Sequence, residues 1–561
     1  LAFHPADIIT LIIFLVGITA LGYFSKRAVH DREDFFLGGR RFGKTMMAFH
    51  AFGTGTHTDQ AVGVVAESYR RGLTGIWVQW NWMFATPIYW LLAPWLRRSR
   101  CLTLGDFFAE RYSAAAGVMA VVVATFCSIF SMGVMLLGTT RTVQGMLGLT
   151  ARTPVEMFAG QAIPAESSFY IILLAMTAMF VLYGVAGGIV GAVRTDFVQG
   201  IFIIILSGLA LPAALKIVGG LVGIRAGVPE PHFLNLVSRD PAQFDLWFIV
   251  ALLALAPVSI VGQSHIMSVT SAGRTELDGR FGMTYGNFLK RFCTVAWCLL
   301  GIAWLVHDRN LGITLEQADQ AFGKAVSVLL PHGLLGLMMA AVIAAAMSTS
   351  DSVMVAVSGL WTQNVYRRFI HPEAEERHYV YVGRIVSVIV VLGSLLLAMV
   401  IGDVVTGLFS FWKISACLGI AVWLALVWRR ANSYGAWASC LAALVVYVVT
   451  EFVLDWPKAL WPQQIALLLG IGGAVGVVVS LLTPRPRKEV VEPFYTKLHT
   501  PVGQEDKLEL PLDEAMPAER RLVDRWGLLI AKPNLESWGG FLVAWCLVAF
   551  LIGGTWLLLR L

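Results

Sequence analysis

The chain has 561 residues, of which 57% are hydrophobic and 14% charged, with a formal net charge of +6. Soluble domains carry roughly 25% charged residues, so a soluble globular protein is excluded and helices apolar on every face are expected. The basic residues sit in short blocks between apolar runs, where orientation signals belong, and form no nucleic-acid footprint; the seven scattered cysteines make no CxxC or Cys/His cluster suited to zinc or an iron–sulfur centre.

Taken in chain order, apolar runs of about 20 residues predict fourteen membrane helices. They lie at roughly 6–24, 43–69, 74–95, 113–146, 168–186, 192–217, 245–268, 285–306, 333–364, 379–401, 404–428, 435–454, 462–482 and 537–559. The first run lacks a basic leader and a small-residue cleavage site, so it reads as a helix and not as a cleavable signal. Basic blocks follow the odd-numbered runs, among them Lys26-Arg27, Arg97-Arg98, Arg274 with Arg280 and Lys290-Arg291, Arg367-Arg368 and Arg429-Arg430. The positive-inside rule places these in the cytoplasm of a multi-pass cell-membrane protein and both termini outside; Arg70-Arg71 is the exception. The polar stretch 483–536 reads as a cytoplasmic linker, partly helical near Asp513 to Trp526. The last segment, 537–561, reads as a C-terminal membrane helix. No Walker, kinase or nuclease signature occurs, and no catalytic constellation, so the chain is not expected to be an enzyme.

Three runs carry polar residues that hydrocarbon would penalise. The second is interrupted by Gly53-Thr54-Gly55-Thr56-His57-Thr58-Asp59-Gln60, and the seventh by Pro257 and then Gly262-Gln263-Ser264-His265. Discontinuous helices at matching places in two halves mark transporters with inverted repeats, with the ligand site between them. The ninth run holds Ala344-Ala345-Ala346-Met347-Ser348-Thr349-Ser350-Asp351-Ser352. Hydroxyls beside backbone carbonyls are hard oxygen ligands for a small cation; taken alone, a Ser-Thr pair also suits hydrogen bonding to the carbonyl four residues back or across helices.

Asp34-Phe35-Phe36-Leu37-Gly38-Gly39-Arg40-Arg41-Phe42-Gly43 resembles the signature after the first helix of the sodium:solute symporter family. Tyr183-Gly184-Val185-Ala186-Gly187-Gly188 with Arg194-Thr195-Asp196-Phe197-Val198-Gln199, Gly262-Gln263-Ser264-His265-Ile266, Ala345-Ala346-Met347-Ser348-Thr349 and Trp428-Arg429-Arg430-Ala431-Asn432-Ser433-Tyr434-Gly435-Ala436 are similar to its later core segments, in the family's order. The resemblance covers about 1–480. It implies an all-α integral membrane protein of LeuT-like fold, with a transmembrane core over 1–482, a five-plus-five inverted repeat over about 43–217 and 245–428, one preceding helix and three following helices.

The family also implies a sodium site between the first broken core helix and the eighth core helix. Motif alignment gives it the carbonyls of Gly53, Thr56 and Ala345 and the hydroxyls of Ser348 and Thr349. Asp196, with Thr195, stands where some members have a second sodium site or a coupling network; the plainer readings are a partner for Arg194 or a helix N-cap. Alignment puts His57, Gln60, Asn81 and Gln263 near substrate-facing positions. His57 and His265 equally suit satisfied interior histidines. Trp77, Trp80 and Trp82 suit a stacking surface, a lipid belt or packing, and Lys413 suits a substrate counter-ion, a partner of Asp403, or snorkelling. The implied function is a sodium-coupled symporter importing a small polar organic solute across the bilayer by alternating access. A proton-coupled transporter of the same fold and a non-transporting solute sensor are the alternatives.

Overall fold

The structure is a computed structural model and describes residues 4–25, 41–148, 155–157, 161–163, 165–184, 188–240, 244–315 and 317–558. Within these, the side chains of Ser348 and Asp351, and that of Arg194, lie outside the described residues, as do positions 34–40 of the first motif.

The polypeptide is almost wholly helical. In order it forms α1 (Pro5–Ser25), α2 (Lys44–Gly55), α3 (Thr58–Arg71), α4 (Thr86–Arg98), α5 (Leu104–Arg111), α6 (Ala114–Met146), α7 (Ala165–Gly184), α8 (Gly188–Val218), α9 (Gly220–Gly227), α10 (Leu246–Val261) and α11 (Ser264–Ser271). There follow α12 (Glu276–Asn310, with a π turn at Gly282–Gly286), α13 (Ala321–Leu329), α14 (Leu334–Trp361), α15 (Glu376–Val400), α16 (Val404–Val427), α17 (Ser433–Val448), α18 (Trp461–Leu482), α19 (Lys488–His499) and α20 (Leu535–Leu558). Short helical turns, among them Trp77–Trp80 and Leu512–Ala515, and two small antiparallel hairpins, Val155–Met157 with Gln161–Ile163 and Arg521–Arg525 with Leu528–Ala531, join these helices.

Among the described residues, eight helices are long and apolar enough to cross a membrane, or ten if each sharply bent pair counts as one span. Their burial sorts them. In its most apolar stretch α14 is 94% buried against the rest of the protein, whereas α18 and α20 are 28% and 22% buried. The polar ninth run is thus the central helix, and the last helices form the lipid-facing rim, where an apolar face needs no protein partner. Asp7 anchors α1 to the start of α14 by accepting the backbone N–H groups of Gly333 (2.6 Å) and Gly336 (3.0 Å).

Four expectations are corrected. The stretch 483–536, expected to be a linker partly helical near Asp513 to Trp526, has only short helical turns there, at Leu512–Ala515 and Ala518–Arg520. The longest helix comes earlier, as α19, because Val491, Phe494, Tyr495 and Leu498 recur at helical spacing and are all buried. Tyr495 donates to the Ala425 carbonyl (2.8 Å), and Arg111 lies over the Phe494 and Tyr495 rings, each 5.6 Å away. Residues 521–525, in the later part of the expected helix, pair with 528–531 in the second hairpin instead. Second, Trp77, Trp80 and Trp82 are buried and so make no lipid belt. Third, Lys413 does not pair with Asp403. Its ammonium donates to Glu451 (2.7 Å) and Gln464 (2.8 Å), while Asp403 pairs with Lys458. Fourth, Lys290 and Arg291 do not belong to a basic loop. They lie fourteen and fifteen residues beyond Glu276 along the continuous helix α12, and both are buried.

Candidate functional site

The first break falls where helix-poor residues meet. Gly53, Gly55 and the threonines between and after them have low helical propensity. Thr56 leaves the helix at φ −114°, ψ 89° and His57 is extended at φ −91°, ψ 159° before α3 begins. A break leaves carbonyls at the end of one half and N–H groups at the start of the next without helical partners. His57 takes up one carbonyl: its Nε2 donates to Thr54 O at 2.7 Å, which turns Nδ1 toward Asp59, 3.7 Å away. Lys290 takes up another, donating to Gly55 O.

The second break separates α10 from α11 with a bend of 66°. Gly262 is required there by contact, because a Cβ at this position would sit 2.0 Å from the Ser415 carbonyl oxygen of α16. The chain therefore packs backbone to backbone against α16 just where it turns, and Gln263 and His265 follow at the bend.

Both breaks open on one cavity of about 580 Å³, measured with its mouth. Thr54, Gly55, His57 and Gln60 line it from the first break, and Gln263 and His265 from the second. Asn287, Lys290 and Arg291 of α12 form a third wall, and Trp82, Tyr89, Phe411 and Trp412 supply aromatic surface. Trp82 and Trp412 meet edge to face, 5.4 Å between centroids. The structure thus brings together His57, Gln60 and Gln263 of the predicted substrate residues. Asn81 does not line this cavity; its amide donates to Val78 O at 3.0 Å. Lys290, Arg291, Asn287 and Tyr89 were not singled out as site residues from the sequence. The signal available was the charged pair inside a predicted span, 285–306, which hydrocarbon would make costly.

A second cavity, about 380 Å³ measured with its mouth, lies between the first break and α14. Thr56, His57, Thr58 and Ala61 line one side, and Met338, Ala341, Val342 and Ala345 the other. Of the predicted sodium ligands, Thr56 and Ala345 share this space. The Thr56 hydroxyl is buried without a hydrogen-bond partner. Thr349, one turn beyond Ala345, donates to the Ala345 carbonyl at 3.2 Å, the local bond that such a residue makes in a helix. Gly53 O accepts the Thr56 N–H (3.2 Å), and Gly53 itself packs against Asp196. The Thr58 hydroxyl ties the start of α3 to α14 by donating to Val342 O (3.1 Å).

Asp196 lies eight residues beyond Gly188, inside α8, and so is not its N-cap. It is fully buried beside Thr195. Its Oδ2 accepts from His50 Nδ1 (2.8 Å) and from the Thr54 hydroxyl (3.1 Å), while Oδ1 has no partner. This triad clamps the last turns of α2, immediately before the break, onto α8.

Residues 35–443 match the family model described as the sodium:solute symporter family. The osmoregulated proline transporter OpuE of Bacillus subtilis is 25% identical over 500 residues, covering 86% of this chain and 96% of that protein. The sodium/proline symporter of Escherichia coli is 24% identical over 515 residues, covering 88% and 96%. The mouse sodium/myo-inositol cotransporter 2 is 24% identical over 579 residues, covering 91% and 82%. A solved structure of a Na+-coupled sialic acid symporter, in a substrate-bound outward-open state, superposes with a TM-score of 0.71 at 17% identity, covering 86% of this chain and 99% of that one. At that identity the likeness concerns the fold, which is the LeuT-like all-α arrangement.

Proposed function

The chain belongs to the sodium:solute symporter family, and from that premise we propose that it is a sodium-coupled secondary active symporter that imports a small polar organic solute by alternating access. It is a transporter and not an enzyme. The observation that carries the reading is the convergence of two broken helices on one polar cavity, with a second cavity between the first break and the central helix α14.

Sodium is a co-substrate here. Its ligands are the carbonyls of Gly53, Thr56 and Ala345 and the hydroxyls of Ser348 and Thr349. The unpartnered Thr56 hydroxyl beside Ala345 supports a polar occupant in that space. Sodium bound there joins α2–α3 to α14 and favours the state in which the solute cavity is ordered. Solute then binds against His57, Gln60 and Gln263, and the helices of one repeat (43–217) rock against those of the other (245–428) to open the opposite side. Asp196 serves this motion as a coupling residue, holding α2 to α8. The core extends over 1–482, and both termini face outside.

One positive charge moving down 100 mV yields about 2.3 kcal/mol, and a tenfold sodium gradient adds about 1.4 kcal/mol. For a neutral solute and one sodium, the sum sustains roughly several-hundred-fold accumulation. Uptake into proteoliposomes, with an imposed sodium gradient at fixed pH, tests the proposal. Uptake that is equally fast and concentrative in potassium alone refutes it.

The buried pair His57 and Asp59, whose Oδ1 faces His57 Nδ1 at 3.7 Å and accepts no hydrogen bond, favours proton coupling as the second reading. Concentrative uptake driven by a pH gradient in the absence of sodium would select it.

A further inference from the structure

The third wall of the solute cavity has a charge balance that sodium coupling does not use. Two basic side chains, Lys290 and Arg291, line it, together with two histidines, and no aspartate or glutamate is among its lining residues. Asp59, 3.7 Å from His57, lies outside that lining; its charge reaches Lys290, and no carboxylate among the described residues is paired with Arg291. Arg291 is 1% exposed, and its Nε and Nη1 groups have no hydrogen-bond partner. Lys290 is 5% exposed and spends its ammonium on the Gly55 carbonyl at the end of α2. Close packing brings the pair there: a Cβ on Gly286 would lie 2.3 Å from the Ala48 carbonyl oxygen, so the π turn at Gly282–Gly286 presses α12 onto α2.

A buried guanidinium with unpaired N–H groups is strongly destabilising unless an acceptor meets it. A second cation on the adjacent residue adds repulsion in a low-dielectric site. An oxyanion in the cavity relieves both. The planar guanidinium matches a carboxylate in a two-pronged fashion, which a point charge does not. The aromatic surface of Trp82, Tyr89 and Trp412 suits a compact apolar or ring-bearing body behind such a head group.

We propose that Lys290 and Arg291 form an anion subsite in the cavity between the two broken helices, so that the transported solute carries a carboxylate or an equivalent oxyanion. This deepens the symport reading of the same site and rests on it.

The test uses the purified chain and matched acid and neutral probes: nicotinate and nicotinamide, D-glucuronate and D-glucose. Thermal shift is measured in constant chloride, with sodium and with potassium, and for the neutral probes also over a range of chloride concentrations. An acid that stabilises the protein at least about tenfold more strongly than its neutral partner, and loses that preference in Arg291→Gln and in Lys290→Gln, supports the subsite. Neutral probes binding as well as acids overturn it and leave sodium coupling standing. So does chloride sensitivity of neutral-probe binding, which would assign the cations to an inorganic anion. Acid binding that is indifferent to sodium overturns the coupling reading and leaves the subsite standing.

Should no probe bind, a ligand-independent measurement decides. Gln263→Cys is treated with anionic sulfonatoethyl and cationic trimethylammonioethyl methanethiosulfonate. The rate ratio, normalised to a free thiol, is expected to favour the anionic reagent at least about tenfold and to lose that bias when Lys290→Gln is added. A ratio equal to the free thiol's, or no reaction with either reagent, refutes the subsite. Arg291→Lys, which keeps the charge, separates lost fork geometry from misfolding: it retains the bias but weakens acid binding.

Discussion

The clamp between α2 and α8 makes the most demanding prediction. Asp196→Asn removes the charge but little volume. In the structure Asp196 Oδ2 accepts two bonds, from His50 Nδ1 at 2.8 Å and from the Thr54 hydroxyl at 3.1 Å, with all three residues buried. Hydrogen bonds to a charged group contribute about 1.5–3 kcal/mol each, and breaking one partner of a buried pair costs about 3–5 kcal/mol. The amide keeps one acceptor oxygen but brings an NH2 group toward the same donors, so about 2–4 kcal/mol of stability should be lost. His50→Gln should cost about the same, and the double variant should cost less than the sum by at least about 1 kcal/mol, because both changes disrupt one bond. The assay is a double-mutant cycle on unfolding free energies in a fixed detergent. The apparent sodium stoichiometry, read from the slope of sodium-dependent uptake, should not change. Additive losses would sink the argument. So would an unaltered stability combined with loss of one sodium from the stoichiometry, which would make Asp196 an ion ligand.

Replacing Ser348 and Thr349 together by alanine should abolish the sodium-dependent rise in melting temperature, since ligand stabilisation scales with affinity; a full shift in that variant would move the sodium site elsewhere. Gly262→Ala should block folding or transport, because its Cβ would lie 2.0 Å from the Ser415 carbonyl oxygen and α10 and α16 would have to part; normal uptake by the variant would contradict the close packing. Glu451→Gln should destabilise by about 3–5 kcal/mol, since it strips the buried Lys413 ammonium of its counter-charge; Lys413→Met added to it should restore much of the loss in the same unfolding assay. Outside the membrane helices, burial, with Arg98 and Arg521 nearby, pushes the His499 imidazole down to about 4 from 6.5. The unfolded segment therefore takes up a proton that the folded one refuses, and stability is full above pH 6.5 and falls toward pH 4. By pH 5 the loss should reach about 2 kcal/mol. Limited proteolysis within 500–520 should accelerate over that window in the parent chain and not in His499→Phe.

The amino-acid order alone determined the membrane class, because helices apolar on all sides cannot be dissolved in water. It also marked both helix interruptions, since glycine, hydroxyl and histidine in mid-span announce backbone groups without helical partners. It failed where partners come from far along the chain. Lys290 and Arg291 were counted with loop charges, and only the packing of α12 on α2 turned them inward. Lys413 needed Glu451 and Gln464, thirty-eight and fifty-one residues away, to show what neutralises it. The stretch after Thr483 carried enough charge to pass for a tether, yet four residues at helical spacing bury themselves on Arg111 and its neighbours. Local periodicity reports which face is apolar. Which surface covers that face, and which charge meets which, is set by contacts between distant segments, and these exist only in the folded chain.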